Sequence, residues 1–307
     1  MKILVTEPEY FGEDALSVLR ERGEVETLRI SRKELLQKIK EFDAVLIRIE
    51  TKLDRELLDN AAKLKVIGSA TTGLNHIDTK LAKERGIKIV NLHGAHTIPT
   101  AEYAFAMLLS LVRNLPWAYE SLRDGRWERH KLIGRQLSGK RIGIIGLGRI
   151  GNEVAKYAEA FGMDVVAFDP YAKSQKVRML PLEKLLAESD VITIHAMLTD
   201  ETRGMIGRKE FGMMKDGAFL VNTARAEIVD SDALIEALEG NKLGGAAIDV
   251  FENEPAVEED RILRYARKKA NLLVTPHLSA STVEAARSAA VEIAKGVCEA
   301  LDETAQN

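Results

Sequence analysis

Apolar and polar positions along this chain follow two rhythms. Short β-branched runs, KILVT (2–6), VETLRI (25–30), DAVLIR (43–48), LKVIGSA (64–70) and IKIVN (87–91), recur through the first hundred residues. Between them lie stretches with apolar residues at helical spacing: 13–22, SRKELLQKIK, LDRELLDNAAK and HIDTKLAKERG. Runs of four to eight apolar residues alternating with amphipathic helices predict strands of a parallel sheet, covered by helices. A second series starts at Arg141 with RIGII, a helix over 149–161 and DVVAFD (164–169). It continues through LEKLLAES, DVITIHA (190–196), AFLVNTA (218–224), SDALIEALEG, LGGAAIDV (243–250) and NLLVTPH (271–277). The fold class read from this pattern is α/β, with two doubly wound parallel-sheet domains and no literal repeat between them.

The segment TIPTAEYAFAMLLSLVRNLPWAYESLRDGRW separates the two series and is apolar at helical spacing on more than one face. Pro99 suits a first helical turn. A helix here is expected to join the domains and to pack against something extensive, such as a second subunit; Trp117 and Trp127 are expected as core or interface anchors. The last predicted helix, 282–301, is expected to return to the first half. That gives a first domain of 1–96 plus 282–307 and a second of 97–281.

A length of 307 residues fits two domains better than one. The 44 basic and 47 acidic residues are interspersed and leave a net charge of -3. No electrostatic footprint for nucleic acid or a membrane surface results. The one cysteine, Cys298, can form neither an internal disulfide nor a Cys-based zinc site, which fits a reducing, cytoplasmic setting. MKILVTEPEY has no leader pattern and no run approaches 18 apolar residues, so neither export nor a membrane span is expected.

Candidate chemistry begins at GLGRIG, residues 146–151, which follows the run RIGII and opens a predicted helix. Gly146 would make the tight turn, Gly148 would let backbone approach a pyrophosphate, and Gly151 would let helix pack closely on strand. The helix N-terminus would face the phosphates with unpaired N–H groups. Eighteen residues past Gly151, Asp169 ends the next strand, where a carboxylate can accept from a ribose diol and repel a 2'-phosphate. The expected cofactor is therefore NAD rather than NADP.

A nicotinamide cofactor supplies a hydride, so the protein must supply orientation and a proton. Three strand ends offer Arg225 in NTARAEIVD, Glu254 in DVFENEP and His277 in TPHLSAST. A guanidinium can hold a carboxylate through paired hydrogen bonds, an imidazole can give a proton, and a carboxylate can fix the ring. Pattern alone leaves plainer readings open: a histidine after proline as a structural hydrogen-bond partner, Glu-Pro as a turn, and Arg225 as an ion-pair partner of Asp249 or Glu227. His93 and His96 lie three apart, but no third ligand is in register with them, so no metal is expected. His195 is expected to line the cofactor side by its backbone rather than to act as an acid.

These motifs together resemble the D-2-hydroxyacid dehydrogenases, which include phosphoglycerate, glycerate/glyoxylate and D-lactate dehydrogenases. The resemblance runs through SATTGLNHID (69–78), AEYAFAMLLSLVRN (101–114), LSGKRIGIIGLGRIG (137–151), HAMLTDETRGMIG (195–207), NTARAEIVD, AAIDVFENEP and TPHLSAST. It implies a Rossmann NAD-binding domain, a flavodoxin-like substrate domain, a homodimer, and a site completed as the two domains close. It also implies interconversion of a D-2-hydroxy acid and its 2-oxo acid, with 3-phosphoglycerate or glycerate/glyoxylate as candidates. By the resemblance Arg225, Glu254 and His277 fall on catalytic positions. Thr72, Gly146, Gly148, Arg149, Ile150, Gly151, Asp169, Ala196, Thr223, Ala224 and Asp249 fall on cofactor positions, Asp249 against the nicotinamide amide. Backbone N–H groups near Ala70, Thr71 and Gly73 are implied to receive the substrate carboxylate, and Arg48 matches an arginine used near a phosphate. The family usually has glycine at Ala226, a departure whose effect on the loop carrying Arg225 the sequence leaves open, and proline at Met197; its phosphoglycerate members often have arginine at Ser69. The alternative is an NAD-sensing, non-catalytic scaffold of the same fold, resembling the family's corepressors.

Overall fold

In the computed structural model, which describes residues 1–71, 73–92, 94–255 and 259–305, the apolar runs become parallel strands of two separate sheets. The chain divides into two compact units, residues 1–96 with 281–307 and residues 97–280. The first begins β1 (Lys2–Val5), α1 (Glu13–Arg20), β2 (Glu24–Thr27), α2 (Arg32–Lys38) and β3 (Ala44–Ile47). It continues α3 (Arg55–Asn60), β4 (Val66–Ser69), α4 (Thr79–Glu84) and β5 (Lys88–Asn91). Strand order is β2-β1-β3-β4-β5, so the winding reverses between β1 and β3. Alternation along each strand builds two cores from one sheet. Ile3, Val5, Ala44 and Leu46 pack on one face, while Leu4, Val45 and Ile47 pack on the other.

Two boundaries differ from the sequence expectation, each for a local reason. β2 stops at Thr27 because its partner β1 ends at Val5, the residue paired with it. α4 starts at Thr79 because the Asp78 carboxylate accepts from Leu81 N at 3.0 Å and caps the helix, while Ile77 bridges to Leu53.

The second unit opens with α5 (Thr97–Val112), α6 (Leu115–Arg123), β6 (Arg141–Ile145), α7 (Arg149–Ala160), β7 (Asp164–Phe168) and β8 (Arg178–Met179). It proceeds through α8 (Leu182–Glu188), β9 (Val191–Ile194), α9 (Arg208–Met213) and β10 (Ala218–Asn222), then α10 (Ser231–Glu239), β11 (Leu243–Ile248), α11 (Arg261–Ala266) and β12 (Leu272–Val274). Strand order β12-β11-β10-β9-β6-β7-β8 places the reversal between β6 and β9. α5 packs against α7 and the sheet, with Phe105 between Tyr157 and Phe161 at ring separations of 6.1 and 4.8 Å. Trp117 packs on this core, whereas Trp127 is 81% exposed.

The last helix, α12 (Val283–Ala305), packs on α1, β4 and β5 of the first unit. Its seat is cut by glycine: a Cβ on Gly68 of β4 would lie 2.5 Å from Val297 Cγ2. Ile293, Val297 and Leu301 are fully buried there, each contributing about 1.5 to 3 kcal/mol. Among the described residues no helix is long and apolar enough to cross a membrane.

Candidate active site and cofactor cradle

GLGRIG forms the turn between β6 and α7, and its glycines meet different demands. Gly146 has φ +92, and a Cβ on it would lie 2.6 Å from Ala196 N. A Cβ on Gly151 would lie 2.2 Å from Gly146 O, so helix and loop touch through bare backbone. A Cβ on Gly148 would meet nothing within 4 Å, and this residue caps α7 with no side-chain hydrogen bond. By contrast α2, α3, α4, α10 and α11 each start under a Ser or Asp side chain. The first N–H groups of α7 thus face outward beside a position that carries no side chain, the arrangement an anionic ligand uses. Arg149 and Ile150 open the helix, and Asn152 Nδ2 braces the turn by donating to Leu147 O and Gly148 O at 2.8 Å each.

Asp169 follows β7 and its carboxylate is already engaged. Oδ2 accepts from Leu147 N at 2.9 Å, and Oδ1 accepts from Tyr171 N at 2.9 Å and Ala172 N at 3.0 Å. A carboxylate has about four acceptor sites. One remains on Oδ2, so a ribose diol that formed two bonds here would displace or share an amide. Asp169 therefore also ties the glycine loop to the end of β7.

Arg225, Glu254 and His277 come from the carboxyl ends of β10, β11 and β12. His277 Nδ1 and Glu254 Oε2 are 2.6 Å apart, while Glu254 Oε1 accepts from Phe251 N at 3.0 Å. With Nδ1–H donated to the carboxylate, Nε2 points away from it and has no protein partner among the described residues. The side chains of His277 and Glu254 are 43% and 36% exposed, so the pair is open to a ligand. His277 adopts φ +53, in the left-handed region, at a cost of about 1 to 2 kcal/mol.

What holds that conformation is Asp249, which is fully buried. Its Oδ1 accepts from Thr275 Oγ1 at 2.6 Å and Leu278 N at 2.9 Å, and its Oδ2 accepts from Ser279 N at 2.9 Å. Its carbonyl oxygen takes His277 N at 2.9 Å.

Arg225 is exposed, donates to Ala224 O at 2.7 Å, and makes no ion pair with Asp249, Glu227 or another described carboxylate. Asn222 shapes its turn by accepting from Ala224 N at 3.0 Å and donating to Arg225 O at 2.9 Å. Ala226 lies in a short 3-10 turn without left-handed backbone, and its methyl is buried. No glycine is needed there, so the methyl is accommodated. Met197 is 80% exposed.

Arg48, Ala70, Thr71 and Gly73 belong to the other unit, at the carboxyl edge of its sheet. Ala70 N donates to Ile47 O at 2.9 Å and is not available to a ligand. Thr71 Oγ1 donates to Gly73 O at 2.7 Å and pairs with Ser69 Oγ at 2.7 Å, which faces His76 Nε2 at 3.1 Å. The chain of donors therefore runs from His76 Nε2–H through Ser69 to Thr71, and burial keeps the His76 pKa below the ordinary range. Thr72 and His93 lie outside the described residues. His195 donates its backbone N–H to Ile145 O at 2.7 Å, its ring meets Thr193 Oγ1 at 2.8 Å, and burial pushes its pKa down to about 4. Its ring is neutral near pH 7 and no acid. Among the described residues no group of three His, Cys, Asp or Glu could hold a metal.

Comparison with known proteins bears on this geometry. Residues 105–279 match the family described as D-isomer specific 2-hydroxyacid dehydrogenase, NAD binding domain. The chain belongs to the D-2-hydroxyacid dehydrogenase family. It is 43% identical over 304 residues to D-3-phosphoglycerate dehydrogenase from Archaeoglobus fulgidus, covering 97% of this chain and 56% of that protein. The chain thus spans little more than half the length of that relative. A hydroxypyruvate reductase from Thermotoga maritima is 40% identical over 285 residues, 92% of either chain. The TT0316 protein of Thermus thermophilus superposes with a TM-score of 0.87 at 36% identity, covering 99% of this chain and 97% of that one.

The cradle fits the NAD that this family domain binds. Open Gly148 at an uncapped helix start suits a pyrophosphate, and Thr223 Oγ1 at the end of β10 is buried with no hydrogen-bond partner among the described residues. A buried orphan hydroxyl costs about 1 to 3 kcal/mol, which a bound polar ligand would offset. Sequence reasoning missed Asn222 and Thr275 as bracing residues. A polar residue closing the apolar run AFLVN, and a hydroxyl just before Pro276 and His277, were the available signals.

Proposed function

We propose that this protein is an NAD-dependent oxidoreductase that interconverts a D-2-hydroxy acid and its 2-oxo acid. The observation that carries the reading is the 2.6 Å His277–Glu254 pair on the strand ends of the NAD-binding domain, with Nε2 left open. Bound NADH supplies the hydride. Protonated His277 gives its Nε2 proton to the substrate oxygen, Glu254 offsets the charge of the ring and fixes its orientation, and Arg225 holds the acid through paired donors. Gly148, the α7 N-terminus, Thr223 and Asp169 hold the cofactor, with Asp169 favouring NAD over NADP.

Phosphorylated or plain three-carbon and two-carbon 2-oxo acids are the substrate candidates, in line with the phosphoglycerate and hydroxypyruvate relatives. A homodimer in a reducing cytoplasm completes the proposal. Leu115, Tyr119 and Leu122 at helical spacing are 55, 66 and 61% exposed, an apolar stripe a second copy would cover. Cys298 is the one cysteine.

The test follows NADH and NADPH oxidation by wild type and His277→Ala with 3-phosphohydroxypyruvate, hydroxypyruvate, glyoxylate and pyruvate. One acid should turn over with NADH, and the variant should lose about 10²- to 10⁴-fold in kcat while keeping NADH affinity. Tight NADH binding without turnover of any acid would overturn the reading.

A further inference from the structure

In the seven-stranded sheet the winding reverses between β6 and β9, and a ligand crevice opens outside the carboxyl ends of the strands at such a reversal. β6 pairs with β7 on one side and with β9 on the other. The loops that follow β7 and β9 therefore stand on opposite sides of the GLGRIG turn, on strands about 10 Å apart. One described bond between side chains spans them: Tyr171 Oη donates to Glu201 Oε2 at 2.6 Å.

Packing does not hold either side chain there. Tyr171 is 83% exposed, so its ring gains little from burial, and Glu201 is exposed as well. What is fixed is the backbone beneath each. Tyr171 N and Ala172 N both donate to Asp169 Oδ1, at 2.9 and 3.0 Å, so the loop after β7 turns on that carboxylate. The loop after β9 is braced by Thr202, whose Oγ1 donates to Met197 O at 2.7 Å and accepts from Thr199 N at 2.8 Å. Gly204 N ties the far end of that loop to Glu227 O at 2.7 Å. Glu201 forms no ion pair among the described residues, which leaves its carboxylate to the phenol. The bond first, and the Glu201 charge second, raise the Tyr171 pKa, so the phenol keeps the proton it donates.

We propose that Tyr171 and Glu201 form a strap over the cofactor crevice of this unit, and that NAD(H) enters and leaves only while their bond is broken. The strap arches from the loop after β7 to the loop after β9, across the end of β6 where the glycine turn would meet the pyrophosphate. Its two anchors are braced independently of the bond, so opening needs only rotation of two exposed side chains. A bond present equally before and after binding slows entry and exit alike and leaves affinity untouched. The inference rests on NAD occupying this crevice, the reading given above, and goes beyond it by assigning control of cofactor exchange.

The experiment measures NADH association and release by stopped-flow fluorescence for wild type, Tyr171→Phe, Glu201→Ala and the double variant, with thermal unfolding as the check on folding. Tyr171→Phe removes only the hydroxyl. Each single variant should raise kon and koff together by about two- to tenfold, the range set by one exposed hydrogen bond, with Kd within about twofold of wild type. The double variant should be no faster than either single one, because the same bond is lost in all three. Unchanged rates in Tyr171→Phe overturn the proposal. So does a rise in koff alone with a weaker Kd, the mark of a direct contact with the cofactor, and so does a double variant whose rate increases multiply. Those three results leave the cofactor reading standing, whereas a wild type that binds no NADH overturns that reading and the strap together.

Discussion

Substituting the three glycines of GLGRIG one at a time separates folding from cofactor binding. At Gly146 an alanine must adopt φ +92 with its Cβ 2.6 Å from Ala196 N, and at Gly151 the Cβ lies 2.2 Å from Gly146 O. Both obstacles are backbone atoms and cannot rotate away. Left-handed strain of about 1 to 2 kcal/mol at Gly146, and overpacking of about 1 to 3 kcal/mol at either site, predict losses of roughly 2 to 5 kcal/mol at Gly146 and roughly 1 to 3 kcal/mol at Gly151. At 307 residues such losses lower the melting temperature by roughly 5 to 15 °C and 2 to 9 °C respectively. Gly148→Ala differs, because its Cβ meets nothing within 4 Å and its φ of -77 suits any residue. A weaker N-cap and a less flexible unfolded chain oppose each other, leaving stability within about 1 kcal/mol of wild type. The same methyl projects where a pyrophosphate must approach, and NADH affinity should fall about 10- to 100-fold, or roughly 1.4 to 3 kcal/mol. Thermal unfolding without ligand and NADH fluorescence titration read the two quantities separately. A Gly148→Ala protein that binds NADH like wild type would refute the close-approach argument. Equal destabilisation by all three substitutions would refute the division of roles.

Two further outcomes follow from buried polar groups. The His195 pKa is held near 4 against 6.5 for a free histidine, so between those values the unfolded chain binds the extra proton. Stability should fall as pH drops from 6.5 to 4 by up to about 3 kcal/mol. His195→Gln should remove that part of the slope, read from urea midpoints at pH 7 and 4.5; an unchanged slope would show that the ring is solvated. Asp249→Asn puts an amide NH2 or a single oxygen opposite the donors of Thr275, Leu278 and Ser279, costing about 2 to 4 kcal/mol. With His277 no longer held at φ +53, kcat should drop at least about tenfold. Retained kcat in a destabilised protein would mean that the loop is held by other contacts.

What the sequence shows and what it hides divide along physical lines. Runs such as AVLI and VITI are legible because a strand buried on both faces has no polar position to interrupt it. GLGRIG is legible because close backbone approach admits only glycine at Gly146 and Gly151. β8, with two residues, spans too little chain for a period to register. Polar braces are harder still, since a carboxylate can satisfy whichever amides the fold brings to it. Asp169 was read as a ribose acceptor and also ties Leu147, Tyr171 and Ala172. Asp249 was read against the nicotinamide, yet three of its acceptor sites hold the His277 loop. Glu7, buried two residues past β1, carried no signal at all, because its donors, Arg48 N and Thr51 N, lie 41 to 44 residues away. One relation ties these cases together: Glu7, Asp169 and Asp249 each stand just past a strand and each takes amides from a different loop. An acid at that position fixes one loop against its neighbour at the carboxyl edge of the sheet, where this fold assembles its ligand groups. The same carboxylates that look like ligand contacts in the sequence are therefore the groups that hold Arg48, Leu147 and His277 in place.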